Sequence, residues 1–120
     1  MRAEEHWDKA ARLEGSRKRL DDRDDYEMII WSCIHGGAQL ANVFLHRRGV
    51  TAEGEDQIHT DVPVLRQELP RDVADFFAVL KSIEKLGPRF IRGFEPTDPA
   101  VVKGCLDAYE KLKALAKQSL

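Results

Sequence analysis

The stretch from Asp25 to Gly49 constrains the fold of this chain more than any other segment. From Tyr26 it reads YEMIIWSCIHGGAQLANVFLHRRG, which is too apolar for a helix on a protein surface. Four polar residues, spaced to share one face of a helix, form what we call the polar stripe: His35, Gln39, Asn42 and His46. The stretch therefore predicts the central helix of an α-helical bundle, with polar chemistry along one seam.

Composition favours a single globular domain over residues 1–120. The chain is 42% hydrophobic and 33% charged, and its formal net charge of −2 draws it toward neither nucleic acid nor an acidic membrane. Apolar runs are short and the N-terminus is polar, so we expect a cytoplasmic protein without a membrane span. We expect Cys33 and Cys105 to be reduced thiols in the core.

Helical periodicity runs through the chain, and no segment alternates like a strand. We predict long helices over Ala3–Leu20, from Tyr26 to just before Gly49, over Arg71–Leu86, and after a Thr97 or Asp98 cap. A short helix is predicted from Thr60 or Asp61 to Leu69, and the Gly87-Pro88 pair should break or kink the third long helix. The fold class is therefore all-α, a four-helix up-and-down antiparallel bundle with one short extra helix.

Apolar residues mark the packing face of three helices. In the first they are Trp7, Ala10, Leu13 and Leu20; in the third, Val73, Phe76, Phe77, Leu80 and Ile83; in the last, Val101, Cys105, Ala108, Leu112 and Leu115. The Gly36-Gly37 pair predicts a close approach between helices, because it lacks the lysine of a phosphate-binding loop. The Arg17-Lys18-Arg19 cluster is expected to be solvated and to complement the helix dipole.

Several segments resemble the HEPN family of small helical-bundle proteins. They are His6-Trp7-Asp8-Lys9-Ala10, Asp25-Tyr26, Phe44-Leu45-His46-Arg47-Arg48-Gly49-Val50, His59, Leu69-Pro70-Arg71-Asp72 and Phe94-Glu95-Pro96-Thr97-Asp98. The resemblance covers almost the whole chain. It implies a four-helix bundle that forms a homodimer, and as partners a nucleotidyltransferase, an antitoxin protein or RNA.

Many HEPN proteins are ribonucleases, and their signature is an arginine and a histidine with four to six residues between them. This chain departs from that signature, because its histidines all lie in its first half. The corresponding segment reads Lys85-Leu86-Gly87-Pro88-Arg89-Phe90, with Lys85 in the arginine position and Phe90 in an aromatic one. The resemblance therefore implies the fold and the dimer rather than nuclease activity.

The polar stripe has two interpretations. A buried, unpaired polar group costs about 1–3 kcal/mol, so each member needs a partner, water or a ligand. His35 or His46 is a candidate catalytic base, because an imidazole titrates near neutral pH. Alternatively, the stripe faces solvent or a polar seam between helices, as in a dimer, and has no catalytic role.

A row of cations is the candidate site for phosphate groups and nucleic acid, and we call it the basic row: Lys81, Lys85, Arg89 and Arg92. Its spacing aligns the side chains if the helix continues through Pro88, and such a row suits a phosphate backbone. Phe90 and Phe94 would then stack on bases. The alternative is a solvated helix face with both aromatic residues in the core.

A third group, Asp56, His59 and Asp61, carries oxygen and nitrogen ligands for a metal ion. No convincing fourth ligand accompanies them, so we expect neither a metal nor a cofactor. The function favoured by the sequence is a non-catalytic, HEPN-like bundle that dimerises and binds a protein or nucleic acid, in a toxin–antitoxin or nucleotidyltransferase-linked system. The alternative is a metal-independent ribonuclease that uses a histidine of the second helix.

Overall fold

The computed structural model describes residues 1–57 and 69–120. In these residues the helices are α1 (Ala3–Arg17), α2 (Tyr26–Arg47), α3 (Arg71–Glu84) and α4 (Pro99–Ser119), and a π-helical turn spans Gly87–Ile91. The described part of the chain contains no strand, so the prediction of an all-α helical bundle is confirmed. The predicted short helix lies outside the described residues, apart from its last residue, Leu69.

The helix α2 forms the centre of the bundle, because α1, α3, α4 and the π-helical turn all pack on it. Two of these neighbours, α1 and α3, run in the opposite direction to α2, whereas α4 runs parallel to it, with its last turn beside Arg47 and Arg48. Arg47 in the last turn of α2 pairs with Glu4 in the first turn of α1, and Arg48 pairs with Asp72 at the start of α3, 2.7 Å away. We call this end of the bundle the Arg48 end.

On length and composition, α2 would qualify as a membrane-crossing helix among the described residues, yet 67% of its apolar window is buried inside the bundle. Such burial is what the core helix of a bundle shows. The predicted close approach at its glycines is confirmed. A Cβ atom on Gly37 would lie 2.6 Å from Cδ1 of Leu80 in α3.

The ends of the helices follow the predicted signals in two cases. Gly49 has a φ of +71° just after α2, a conformation that glycine adopts without strain. The side chain of Asp98 accepts a hydrogen bond from the backbone nitrogen of Ala100 at 2.8 Å and caps α4. Pro99 occupies the first turn, where its missing N–H leaves no bond unmade.

Two helices end earlier than predicted. The backbone N–H groups of Arg19 and Leu20 bond to carbonyls only three residues back, so a tight turn replaces the last residues predicted for α1. The helix α3 ends at Glu84, but Lys85 and Leu86 keep helical backbone angles up to the π-helical turn. The α-helix therefore ends ahead of the Gly87-Pro88 pair, and the chain continues as a π-helical turn.

The packing face of α1 was predicted wrongly. Its buried residues are Ala3, His6, Ala10, Glu14 and Arg17, whereas Trp7 and Leu13 are only half-buried. Arg17, which we expected to be solvated, lies with its guanidinium 4.1 Å from the ring centre of Tyr109. Polar residues can occupy this face because polar groups elsewhere in the chain satisfy them.

The predicted face of α3 is confirmed, although Phe77 is half-buried, and the face of α4 is rotated by about one residue. The buried residues of α4 are Val102, Cys105, Tyr109, Leu112 and Ala116. Tyr109 takes the centre of this face because its ring fits against Gly36 of α2. Cys33 and Cys105 lie in the core as free thiols.

Candidate functional site

Two histidines from different helices meet one carboxylate near the Arg48 end of the bundle. Nε2 of His6 in α1 and Nε2 of His46 in α2 each lie 2.9 Å from Oδ1 of Asp56. The two imidazole ring centres are 5.3 Å apart. We call His6, His46 and Asp56 the histidine–aspartate cluster.

The remaining ring nitrogens are held by oxygen atoms. Nδ1 of His6 lies 2.6 Å from Oε1 of Gln39. Nδ1 of His46 lies 2.8 Å from Oγ1 and 3.3 Å from the backbone oxygen of Thr51. Both ring nitrogens of each histidine thus have a polar neighbour, so the rings are fixed in position and in plane.

The loop after α2 delivers Asp56 to the histidines, and Asn42 fixes that loop. The Asn42 side chain donates to the backbone oxygen of Gln57 at 3.1 Å and accepts from its backbone nitrogen at 2.8 Å. The same amide nitrogen donates to the backbone oxygen of Ala38. Because Gln57 follows Asp56 directly, this two-point contact places the carboxylate over the end of α2.

Burial and charge make the cluster an unusual environment. The His6 and His46 side chains are each 3% exposed, whereas that of Asp56 is 30% exposed. Burial by itself raises the pKa of Asp56, but hydrogen bonds from His6, the Met1 amine and His46 outweigh it and lower that pKa to about 2. Asp56 is therefore an anion at any physiological pH.

A cleft opens beside His46 at the Arg48 end. Its lining residues are Ala3, Glu4, His46, Arg47, Thr51, Ala52 and Glu53. Glu4 and Arg47 form an ion pair in this lining. The cleft gives small polar molecules a route to the edge of the cluster.

The structure divides the polar stripe. His46 belongs to the cluster, and Gln39 contacts the His6 ring at its edge. Asn42 positions the loop that carries Asp56. His35 lies apart on the exposed side of α2, its ring centre 4.1 Å from that of Trp31, and desolvation lowers its pKa. The two candidate catalytic histidines therefore occupy different environments.

Asp56, which the sequence analysis grouped with His59 and Asp61, contacts His6 and His46 in the structure. His59 and Asp61 lie outside the described residues. Sequence reasoning missed His6, which lies 50 positions before Asp56. One signal pointed to it, since Ala3, His6 and Ala10 share a helical face.

The basic row lies toward the other end of the bundle, on α3 and the π-helical turn. Its four side chains are exposed, and Arg89 binds Glu95 at 2.5 Å. Phe90 is buried in the core beside Tyr26, so its predicted stacking on bases is wrong. Phe94, in contrast, is fully exposed.

The segment of residues 85–90, which the sequence analysis compared with the HEPN signature, has a defined structure. Lys85 is exposed at the end of α3, and Phe90 anchors the π-helical turn in the core. Turns of this kind interrupt α-helices at functional sites more often than elsewhere.

No family model, curated protein or solved structure matches the chain.

Proposed function

We propose that this protein is a helical bundle that binds single-stranded RNA through the basic row and does not cleave it there. The observation that carries the proposal is the exposure of the basic row beside a fully exposed aromatic residue, Phe94. Cations bind the phosphate backbone and an exposed ring stacks on a base. The resemblance to the HEPN family supports RNA as the ligand.

Three of the four cations are available for phosphate groups. Within residues 1–57 and 69–120, Arg89 pairs with Glu95, whereas Lys81, Lys85 and Arg92 have no carboxylate within ion-pair distance. Arg89 also lies 4.8 Å from the ring centre of Phe90, which restrains its guanidinium. The row thus offers free charges on an ordered scaffold.

The basic row has no histidine nearby in the sequence that could act as the general base for RNA cleavage. Transesterification of RNA requires a group that takes the proton from the 2′-hydroxyl, and residues 81–98 contain no histidine. The net charge of −2 adds no general attraction for nucleic acid. We therefore expect modest affinity and intact RNA.

The salt dependence of binding tests the proposal. Three phosphate contacts on a single strand give a slope of log K against log salt of about −2. Fluorescence anisotropy with a labelled single-stranded RNA should show this slope, and Lys85→Glu and Arg92→Glu should each weaken binding and flatten the slope. The matched control is Lys117→Glu, an exposed lysine in the last turn of α4 at the Arg48 end.

If Lys117→Glu weakens binding as much as Lys85→Glu does, the basic row is not the binding surface. Phe94→Ala separates stacking from charge, because it should lower affinity without changing the salt slope. An RNA ladder run on a gel after incubation reports cleavage independently of binding.

A ribonuclease that uses a histidine of α2 is the second candidate function, and one observation favours it. His46 lines a cleft and lies beside a second imidazole, that of His6, and a pair of imidazoles can supply both base and acid. Cleavage of RNA in the presence of a chelator, abolished by His46→Ala and retained by His35→Ala, supports this candidate. Intact RNA after incubation with the unmutated protein excludes it.

The resemblance also supports a homodimer and a role beside a nucleotidyltransferase or an antitoxin protein. Exposed Met28 and Trp31, separated by one turn on α2, give a second copy an apolar surface to cover. The oligomeric state is a separate question from RNA binding, because these residues are not part of the basic row.

A further inference from the structure

Three atoms that can bind a metal ion converge in the histidine–aspartate cluster. His6, His46 and Asp56 each offer one ligand atom, and these atoms lie within 4.8 Å of one another. Each imidazole Nε2 is 2.9 Å from Oδ1 of Asp56. Ligand atoms bound side by side to a divalent ion at about 2.1 Å lie roughly 3 Å apart, so the spacing is close to that of a coordination sphere.

The second nitrogen of each ring is oriented as in metal-binding histidines. Nδ1 of His6 faces the amide oxygen of Gln39, and Nδ1 of His46 faces the hydroxyl and backbone oxygens of Thr51. The carbonyl oxygen of Gln39 only accepts, so a proton on Nδ1 of His6 satisfies that contact, and a proton on Nδ1 of His46 can donate to Thr51 in the same way. Metal-ligating histidines commonly donate from one nitrogen to an oxygen and bind the ion through the other.

In the metal-free protein, protons on Nε2 can donate to Oδ1 of Asp56, while the Met1 amine pairs with Oδ2 at 3.0 Å. A divalent ion would take the place of the Nε2 protons and bind both nitrogens and the carboxylate. The histidine side chains are each only 3% exposed, so water screens the attraction between such an ion and Asp56 poorly.

We propose that His6, His46 and Asp56 bind a single divalent transition-metal ion of the Zn²⁺, Fe²⁺ or Co²⁺ type. Two imidazoles with one carboxylate suit these borderline ions, whereas Ca²⁺ and Mg²⁺ prefer oxygen ligands alone and Cu⁺ prefers thiolates. The protein thiols, Cys33 and Cys105, lie elsewhere in the core. This site is separate from the basic row and does not depend on RNA binding.

Within residues 1–57 and 69–120 three side chains supply ligands, and a set of three leaves at least one coordination position for water or another molecule. The cleft beside His46, lined also by Thr51 and Glu53, gives access to it. A metal-bound water in such a position ionises far more readily than free water. The site therefore has the composition of a reactive centre and not that of a closed structural one.

Titration of tag-free, chelator-treated protein with Co²⁺ tests the site directly. Binding of one equivalent, with visible absorption bands and with competition by Zn²⁺, is the expected result, and Zn²⁺ should raise the melting temperature. Asp56→Asn keeps the shape of the side chain and should weaken Co²⁺ binding by about tenfold or more. His35→Ala, on the same helix but outside the cluster, is the matched control and should bind as the unmutated protein does.

A variant that fails to fold would blur this comparison, so a measurement on the unmutated protein accompanies it. Nitrogen NMR before and after addition of Zn²⁺ reports which ring nitrogens carry protons. Protons on Nδ1 of both His6 and His46 in the Zn²⁺-treated protein, with shifts at Nε2 when Zn²⁺ is added, support the site. Protons that stay on Nε2 together with no bound Co²⁺ overturn it, since the cluster is then a set of hydrogen bonds that closes the loop.

Discussion

Gly36 of α2 lies directly against the ring of Tyr109 in α4. A Cβ atom on residue 36 would be 2.8 Å from the Tyr109 hydroxyl oxygen and 2.9 Å from Cε2, distances that real side chains do not adopt. The separation of the two helices is therefore set by the absence of a side chain at one position. Tyr109 cannot move aside, because its ring is buried and lies under the guanidinium of Arg17.

Replacing Gly36 by alanine should destabilise the protein by about 1–3 kcal/mol, as overpacked core substitutions do. Gly37→Ala should cost less, because the atom it meets is the end of the flexible Leu80 side chain. The matched control is Gly104→Ala on α4, where nothing lies within 4 Å of the new Cβ and helix propensity favours alanine by up to about 1 kcal/mol. Urea denaturation followed by circular dichroism measures all three, and equal stabilities of Gly36→Ala and Gly104→Ala would contradict the prediction.

Asn42→Ala should release the loop that carries Asp56. The substitution removes three hydrogen bonds, two of them to the backbone of Gln57, at a cost of about 1–3 kcal/mol. We expect faster proteolysis within residues 50–57 and weaker Co²⁺ binding, although Asn42 touches no metal ligand. Gln57→Ala is the control, since Asn42 contacts only its backbone, and this variant should leave both measurements unchanged.

Acid should destabilise the protein partly through Glu14. Burial raises the pKa of this carboxyl group, but the hydrogen bonds and charge of Lys113, helped by Lys18 and Arg17, outweigh it and lower the pKa below its usual value of 4.5. A lowered folded-state pKa gives stability that is complete above the unfolded-state value and is lost as the pH falls through the folded-state value. The loss should therefore begin below about pH 5.

Glu14→Gln tests this contribution, because the amide cannot titrate. The melting temperature of the variant should be lower than that of the unmutated protein at pH 7 and should fall less steeply between neutral and acidic pH. Asp107→Asn, which removes an exposed ion pair with Lys103, should leave the shape of the profile unchanged. A Glu14→Gln profile parallel to that of the unmutated protein would show that the pair with Lys113 does not titrate as expected.

The exposed apolar residues of α2 give a prediction about oligomeric state. Trp31 is 38% and Met28 53% exposed, so a homodimer that covers them should be lost in Trp31→Glu. Light scattering after gel filtration at micromolar concentration should report a dimer for the unmutated protein and a monomer for this variant. Phe94→Ala, beside the basic row, should remain dimeric. A monomeric unmutated protein would refute the dimer.

Local signals predicted the helices of this chain well. Asp98 caps α4 and Gly49 follows α2 as expected, because caps depend on a few neighbouring residues. The face of α4 was rotated in the prediction because the fit of Tyr109 depends on Gly36, which is 73 positions away in the sequence (109 − 36). Shape complementarity between distant helices leaves no periodic signal in either one.

The candidate site was predicted only in part, for a related reason. The polar stripe indicated correctly that α2 carries groups in need of partners, and it included His46. The partner of His46 is shared with His6, on a helix whose packing face was judged by its apolar residues alone. His6, Glu14 and Arg17 are satisfied by residues far along the chain, so the local sequence gives little sign of their burial beyond the helical face that His6 shares with Ala3 and Ala10.

The polar face of α1 has a consequence for how the molecule opens. This helix is held at its start by His6 and toward its end by Glu14 and Arg17, with Trp7 and Ala10 between them. Water can replace polar contacts at a lower cost than it can replace a continuous apolar seam. We therefore expect α1 to separate as a unit while the other helices stay assembled, so that its amide hydrogens exchange together through a partially unfolded state well before those of α2.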